Sequence, residues 1–208
     1  MKNYVTEALG TFFLVLVIGL VVAQASEFAP LAIGTVLMVM VYAGGHISGA
    51  HYNPAVTVGL ALSDKISWNK AGGYILAQLI GAFLAAWVSY MLVGQALVVE
   101  PTAASRTSIV AELIFTFALV YVVLNVAATK ATEGNSYYGL AIGFTVMAAA
   151  FAVGGISGGA FNPAVAFGPQ LFDAIQGGSS ISSIWVYLIG CFGGGILAAL
   201  RYNAVNNK

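Results

Sequence analysis

Long apolar segments dominate the chain and occur six times. They lie near residues 7–25, 30–45, 70–94, 108–129, 137–153 and 181–202. Each segment approaches the roughly 20 residues that a helix needs to cross the hydrocarbon core of a bilayer. The apolar residues run continuously and do not alternate with polar ones, so the pattern favours helices over the strands of a barrel. The sequence predicts an all-α membrane protein with six transmembrane helices.

Two stretches between these segments are uncharged but irregular. Residues 28–63 and 134–172 contain no Asp, Glu, Lys or Arg, and Gly, Ser, Asn and Pro interrupt both about where a first span should end. Each stretch is too long for one crossing and too short for two. A short apolar piece of this kind is typical of a re-entrant half-helix. We expect one half-helix after Pro54 and a second after Pro163.

One ten-residue phrase is written twice in the chain. ISGAHYNPAV at 47–56 returns as ISGGAFNPAV at 156–165, and Glu7 of the first apolar segment has a counterpart in Glu112 of the fourth. In both phrases Asn stands directly before Pro, which is the order expected where an Asn caps a helix that Pro begins. YILAQLIGAFLAA at 74 is echoed in the same way by YLIGCFGGGILAA at 187.

These repeats divide the chain into two homologous halves. Residues 1–94 form the first half, 95–107 a connecting loop, and 108–208 the second half. Each half carries three spans and one half-helix, and because three is odd, the second half enters the membrane from the opposite face. The N-termini of the two half-helices should then meet near the midplane. Their unpaired N–H groups and positive dipole ends must face something polar there, which indicates a pore.

Composition and charge narrow the function classes. The chain is 60% hydrophobic and 7% charged, with a mean hydropathy of +0.94, so it has too little polar surface to cover a soluble globule. Its formal net charge is zero, which gives no basic field for nucleic acid. No cluster of Cys and His has metal-ligand spacing, and no nucleophile, base and orienting acid can be assembled. We expect no enzyme and no cofactor.

The basic residues predict the orientation of the chain in a cell membrane. If the N-terminus is inside, only Arg106 lies outside. Six basic residues then face the cytoplasm: Lys2, Lys65, Lys70, Lys130, Arg201 and Lys208. Both termini of this multi-pass protein are therefore expected to be cytoplasmic. Small residues at matching places in spans 3 and 6, Gly81 and Gly194, predict close contacts between helices.

The paired Asn-Pro-Ala boxes in their SGxxxNPAV contexts, together with the early glutamates, resemble the aquaporin family over nearly the whole chain. The resemblance implies an aquaporin-like fold with six transmembrane helices and two re-entrant half-helices. It also implies a passive channel in the lipid bilayer and a homotetramer with one pore per subunit. The boxes it assigns to the pore are Asn53, Pro54, Ala55 and Asn162, Pro163, Ala164. The backbone it assigns to the pore lining is that of Gly49, Ala50, His51, Gly158, Ala160 and Phe161.

The two asparagines have a defined task in such a pore. Their side-chain oxygens would cap the half-helices, while their NH₂ groups would offer donors to a passing water molecule. Water oriented in this way interrupts the hydrogen-bonded relay that a proton needs, and two positive helix ends repel cations at the same point. The alternative is that Asn53 and Asn162 are only structural caps around a closed core.

Acidic residues inside a membrane are functional by default. As the resemblance implies, the matched Glu7 and Glu112 would each accept hydrogen bonds from the backbone of a re-entrant loop. A proton relay is the alternative, although no chain of acids or histidines continues across the membrane.

The chain departs from the aquaporin pattern at the narrowest part of the pore. Most aquaporins carry Arg directly after the second box, and here that position is Val165. Distances from the boxes place the other filter residues at Ile33, Ala150 and Gly159. This uncharged ring predicts a wide, apolar constriction; alternatively, neighbouring backbone refills the space. Glycerol facilitators usually carry Asp one position further on, where this chain has Ala166.

Three functions remain open at this point. The first is a passive channel for water and other small neutral solutes such as ammonia, hydrogen peroxide or carbon dioxide. The second is a less selective pore that passes glycerol or urea-like solutes, or leaks cations or protons because the filter Arg is absent. The third is a structural membrane protein with a closed lumen.

Overall fold

A computed structural model describes residues 1–206 of the chain. The last two residues, among them the predicted cytoplasmic Lys208, lie outside the described residues. Every regular element of the described part is helical. The eight α-helices are α1 Lys2–Ala23, α2 Ala29–Ser48, α3 Pro54–Leu62, α4 Trp68–Val93, α5 Ser105–Ala127, α6 Tyr138–Ser157, α7 Pro163–Ile175 and α8 Ile184–Asn206.

Six of these helices, all except α3 and α7, are long and apolar enough to cross a membrane. The prediction of an all-α protein with six spans is confirmed. The predicted ends were less accurate, since α6 runs on to Ser157 where the sequence suggested 153. The pair Gly154 and Gly155 does not stop this helix. The helix ends only at Gly158, whose φ of +84° terminates it with a left-handed residue.

The two short helices begin as their sequences predict. Each has Asn as its N-cap and Pro as its first residue: Asn53 with Pro54 in α3, and Asn162 with Pro163 in α7. Helix α7 is longer than expected, because it continues through Pro169 to Ile175. In the last turn of α7, the carboxylate of Asp173 accepts hydrogen bonds from the hydroxyl and the N–H of Ser180, which ties the end of this helix to the short turn before α8.

The packing of the helices repeats between the two halves. Helix α1 packs on α2 and α4 as α5 packs on α6 and α8, and α2 lies against α6 at the centre. The short helices cross over: α3 packs against α8 of the second half and α7 against α4 of the first. This exchange is the arrangement of an inverted repeat, and it brings the beginnings of α3 and α7 together in the middle of the molecule.

Glycines allow the long helices of each half to touch at their backbones. A Cβ added at Gly81 of α4 would collide with the carbonyl oxygen of Ala8 in α1. A Cβ added at Gly194 of α8 would collide in the same way with that of Leu113 in α5. Since lipid provides no hydrophobic drive between helices, such close van der Waals contact is an important source of their association.

We expect Gly81→Ala to destabilise the protein by about 1–3 kcal/mol, because the added methyl group must displace the backbone of α1. The measurement is thermal unfolding of the purified protein in detergent. The matched control is Gly72→Ala on the same helix, where an added Cβ meets no atom within 4 Å. The control should keep or raise the melting temperature, since Ala is the better helix former. Equal losses in both variants would show that close packing at Gly81 is not the cause.

Candidate functional site

The side chains of Asn53 and Asn162 cap the two short helices where these meet. Oδ1 of Asn53 accepts hydrogen bonds from the N–H groups of Ala55 (2.8 Å) and Val56 (3.4 Å). Oδ1 of Asn162 accepts one from the N–H of Ala164 at 2.9 Å. Capping satisfies N–H groups at helix starts that lie inside the molecule, where water is scarce.

The same two asparagines also bind the loops to each other. Nδ2 of Asn53 donates to the carbonyl oxygen of Phe161 at 2.8 Å, and Nδ2 of Asn162 donates to that of Tyr52 at 2.9 Å. Each amide has two N–H groups, and this reciprocal bond uses one of them. At most one N–H of each asparagine is therefore available to a solute.

Both asparagines line a narrow central cavity. The space open to the centres of water molecules is about 30 Å³, and one water needs about 10–15 Å³ by this measure. Besides Asn53 and Asn162, the residues of the wall whose side chains carry polar atoms are His51 and Tyr52. The long apolar side chains of the wall are Leu14, Ile18, Ile33, Leu37, Val56, Leu119, Val123, Ile142, Val146 and Val165. The cavity is thus an apolar passage with hydrogen-bonding groups at its middle.

Three of the four predicted filter residues line this cavity: Ile33, Gly159 and Val165. Ala150 does not line it and lies half-buried on α6. Helix α6 contributes Ile142 and Val146 to the wall instead. Residues four apart share a helix face, so Ala150 continues this stripe one turn beyond the end of the cavity.

Of the residues whose backbone was predicted to line the pore, some line the cavity and others do not. Ala50 and His51 in the first loop line the cavity, as do Ala160 and Phe161 in the second. The two helix-ending glycines do not. Gly49 lies on an adjoining recess, and Gly158 packs against the backbone of the connecting loop near Glu100. Tyr52, which the sequence analysis did not single out, also lines the cavity. Tyr52 stands directly before the first box as Phe161 stands directly before the second, and this equivalence predicts that it lines the cavity too.

The loops before both boxes have unusual backbone conformations. In the first loop Ala50 and Tyr52 have φ values of +51° and +49°, and in the second Phe161 has +49°. Residues with a Cβ rarely adopt this left-handed region, and each costs of the order of 1–3 kcal/mol unless its surroundings hold it.

Glu7 of α1 holds the first loop. Its fully buried carboxylate accepts hydrogen bonds from the N–H groups of His51 (3.0 Å) and Tyr52 (2.7 Å). It also accepts one from the hydroxyl of Ser48 at 2.6 Å and one from Nε2 of Gln78 at 2.8 Å. Four donors thus surround one carboxylate, which satisfies backbone groups that have no water to bind.

Glu112 of α5 holds the second loop in the same way. Its carboxylate accepts hydrogen bonds from the N–H groups of Ala160 (3.0 Å) and Phe161 (2.6 Å) and from the hydroxyl of Ser157 (2.7 Å). The fourth donor is the thiol of Cys191, with Sγ 3.4 Å from the carboxylate. Cys191 occupies the place of Gln78 in the repeat, and the echo between residues 74 and 187 already aligned these two positions.

A hydrogen-bond chain favours a hydrogen on Nδ1 of His51. The hydroxyl of Thr57 donates to the carbonyl oxygen of Asn53 at 3.0 Å, and it accepts from Nε2 of Gln78 at 3.0 Å. Its only hydrogen is therefore used, so Nδ1 of His51, 3.1 Å away, must be the donor in that contact. The side chain of His51 thereby ties the first loop to Thr57 of α3.

Comparisons with known proteins agree with this architecture. The family model described as major intrinsic protein matches residues 1–202. The chain is 37% identical to aquaporin NIP1-1 of Zea mays, over 98% of this chain and 74% of that protein. It is also 37% identical to the glycerol uptake facilitator protein-like 6 of Lactiplantibacillus plantarum, over 96% and 95% of the two chains.

A solved structure shares the fold. The aquaglyceroporin from Plasmodium falciparum superimposes with a TM-score of 0.87 at 24% identity, covering 98% of this chain and 96% of that one. Together with six membrane-spanning helices and paired Asn-Pro-Ala boxes, these matches confirm the predicted resemblance. The chain belongs to the major intrinsic protein family, whose members are channels and not enzymes.

Proposed function

We propose that this channel conducts water and other small neutral solutes such as ammonia, hydrogen peroxide and carbon dioxide. The observation that carries the proposal is the central cavity, which has room for about two water molecules and few polar groups. A solute that passes must be small, and it must exchange most of its hydration for apolar wall. Asn53 and Asn162 each offer it at most one N–H at the midpoint.

A broader channel for glycerol or urea-like solutes is the second candidate. Two similar proteins favour it by their names, the glycerol uptake facilitator protein-like 6 of Lactiplantibacillus plantarum and the aquaglyceroporin of Plasmodium falciparum. The filter of this chain favours such larger solutes in one respect and disfavours them in another. Val165 is smaller than the Arg usual at this position, which widens the ring, but it removes the donors that Arg would offer to hydroxyl groups.

We place the channel in the cell membrane with both termini cytoplasmic, and we expect a homotetramer. The orientation rests on the basic residues, of which only Arg106 would lie outside. Large apolar side chains such as Leu76, Trp87 and Met91 are exposed on the outer surface of α4, where lipid or neighbouring subunits can cover them. The tetramer rests on the family resemblance.

Cations should be excluded at the centre of the pore. The starts of α3 and α7 converge there, and each carries about half a positive charge. Within residues 1–206, no Asp or Glu lines the cavity, so a cation finds no acidic side chain on its wall either. In this proposal the asparagines orient water while the helix ends repel ions.

Asn53→Asp tests this arrangement. The substitution places a negative charge at a positive helix end and removes the donor to the carbonyl of Phe161, so cation entry should rise by tenfold or more, about 1.4 kcal/mol. Sodium uptake into proteoliposomes measures it. Asn203→Asp is the control, since Asn203 also donates to a backbone carbonyl, that of Leu62, but does not line the cavity. Unchanged cation exclusion in Asn53→Asp would contradict the assigned geometry.

Mercurials provide a second test. They block many aquaporins through a Cys three residues before the second box Asn, and this position is Gly159 here. The single thiol, Cys191, is fully buried between helices and bonded to Glu112. Osmotic water flux should therefore change less than twofold in mercuric chloride. Gly159→Cys should introduce sensitivity, and strong inhibition that disappears in Cys191→Ser would show that Cys191 reaches the pore.

Val165→Arg tests the proposed solute range. Arg adds a long side chain with five donors to the ring formed with Ile33 and Gly159. Stopped-flow light scattering of proteoliposomes should show a loss of glycerol and urea flux several times greater than the loss of water flux. Val165→Leu is the uncharged control. If wild type already excludes everything larger than water, and the mutant keeps that selectivity, other residues set the filter. Water flux absent from wild type would contradict the proposed function itself.

A further inference from the structure

The passage through the channel lacks a fixed positive charge at its narrow part. Among residues 1–206, no Lys or Arg lines the central cavity, and Val165 stands where most aquaporins carry Arg. Two carboxylates, Glu7 and Glu112, lie directly behind the loops that form the cavity wall. Apart from the partial charges of the two helix starts, a cation in the cavity therefore meets no opposing positive charge.

Positive charge is instead concentrated at one mouth. A recess of about 310 Å³ adjoins the cavity, and His51 lines both spaces. Lys65 and Lys70 line this recess, and a neighbouring recess that shares Gly49 and Val123 with it is lined by Lys130 and Glu133. These two recesses, here called the lysine vestibule, thus have three lysines against one glutamate.

Aromatic rings hold two of these lysines at the mouth. Nζ of Lys65 lies 5.5 Å from the centre of the Tyr202 ring, and Nζ of Lys70 lies 5.3 Å from that of Tyr74. Tyr74 in turn packs edge-on against the ring of His51, with 5.0 Å between ring centres. The two ammonium groups are therefore positioned next to the entrance of the cavity.

We propose that the lysine vestibule, through Lys65 and Lys70, provides the charge selectivity that the filter lacks. A cleft lined by one sign of charge and bounded by apolar walls focuses its field on the passage. A unit charge about 9 Å from a cation lowers the local concentration of that cation by roughly twofold in a medium that is mostly water. Two lysines together lower it by roughly fivefold, while neutral solutes pass unaffected. This inference rests on the proposed channel function and adds to it the residues that exclude cations.

The test compares sodium uptake with osmotic water flux in the same proteoliposomes of the full chain. In about 10 mM salt, Lys65→Gln/Lys70→Gln should raise sodium flux relative to water flux by roughly fivefold. In about 300 mM salt this increase should shrink, because screening shortens the reach of the charges. Lys65→Arg/Lys70→Arg retains the charge and should behave as wild type. All variants are repeated in Asn53→Asp, where the cation leak gives a measurable baseline.

The matched control removes the same charge from the same face of the protein. Lys2→Gln/Arg201→Gln does so, and neither residue lines the vestibule. This control should leave the ratio of sodium to water flux unchanged. The inference would be overturned if the control raised the ratio of sodium to water flux as much as Lys65→Gln/Lys70→Gln does. It would also be overturned if Lys65→Gln/Lys70→Gln left this ratio unchanged in both the wild-type and the Asn53→Asp background. In either case the proposed water channel would stand. Absence of water flux from wild type would contradict the proposed function instead.

Discussion

The pore depends on two buried carboxylates. Glu7 and Glu112 each accept two backbone N–H bonds from the loop before an Asn-Pro-Ala box. Without these acceptors, the N–H groups would be unsatisfied in the interior of a membrane protein, at a cost of several kcal/mol each. The same bonds hold the left-handed residues Tyr52 and Phe161 in place. Loop conformation is thus set by charge-assisted hydrogen bonds from the long helices, while the loops themselves are short and irregular.

The asparagine bonds follow from this support. Because the carboxylates fix Tyr52 and Phe161 through their N–H groups, the carbonyl oxygens of the same residues are presented to the opposite loop. Asn162 and Asn53 donate to those carbonyls. Each asparagine therefore joins a helix start, its own loop and the other half of the chain. A substitution at either carboxylate would disturb both boxes, although neither carboxylate lines the cavity.

The two halves of the inverted repeat have diverged around this shared frame. The first half surrounds its carboxylate with Gln78 and adds the chain from Thr57 to His51, whereas the second uses Cys191 and has Ala160 in the place of His51. The first half is accordingly the more polar, and it supplies Lys65 and Lys70 of the lysine vestibule. The symmetry of the fold does not make the two mouths of the channel equivalent.

The sequence by itself determined the elements of this protein. Spans, half-helices and caps were readable because they depend on local composition and on residues adjacent in the chain, such as Asn53 before Pro54. The internal repeat made the inverted architecture readable too, and the resemblance located Glu7 and Glu112. Helix ends were less certain, since the interior glycines of α6 are tolerated within the helix.

Only the tertiary structure decided which groups meet. The bond from Asn53 to Phe161 joins residues 108 positions apart, and no local pattern encodes such a pairing. No local pattern encodes the contact of Gln78 with Glu7 either. Nor does one show that the cavity ends one turn before Ala150, or that Lys65 and Lys70 lie near His51. These features depend on how helices of both halves are rotated and spaced around the cavity, and this is set by packing across the whole molecule.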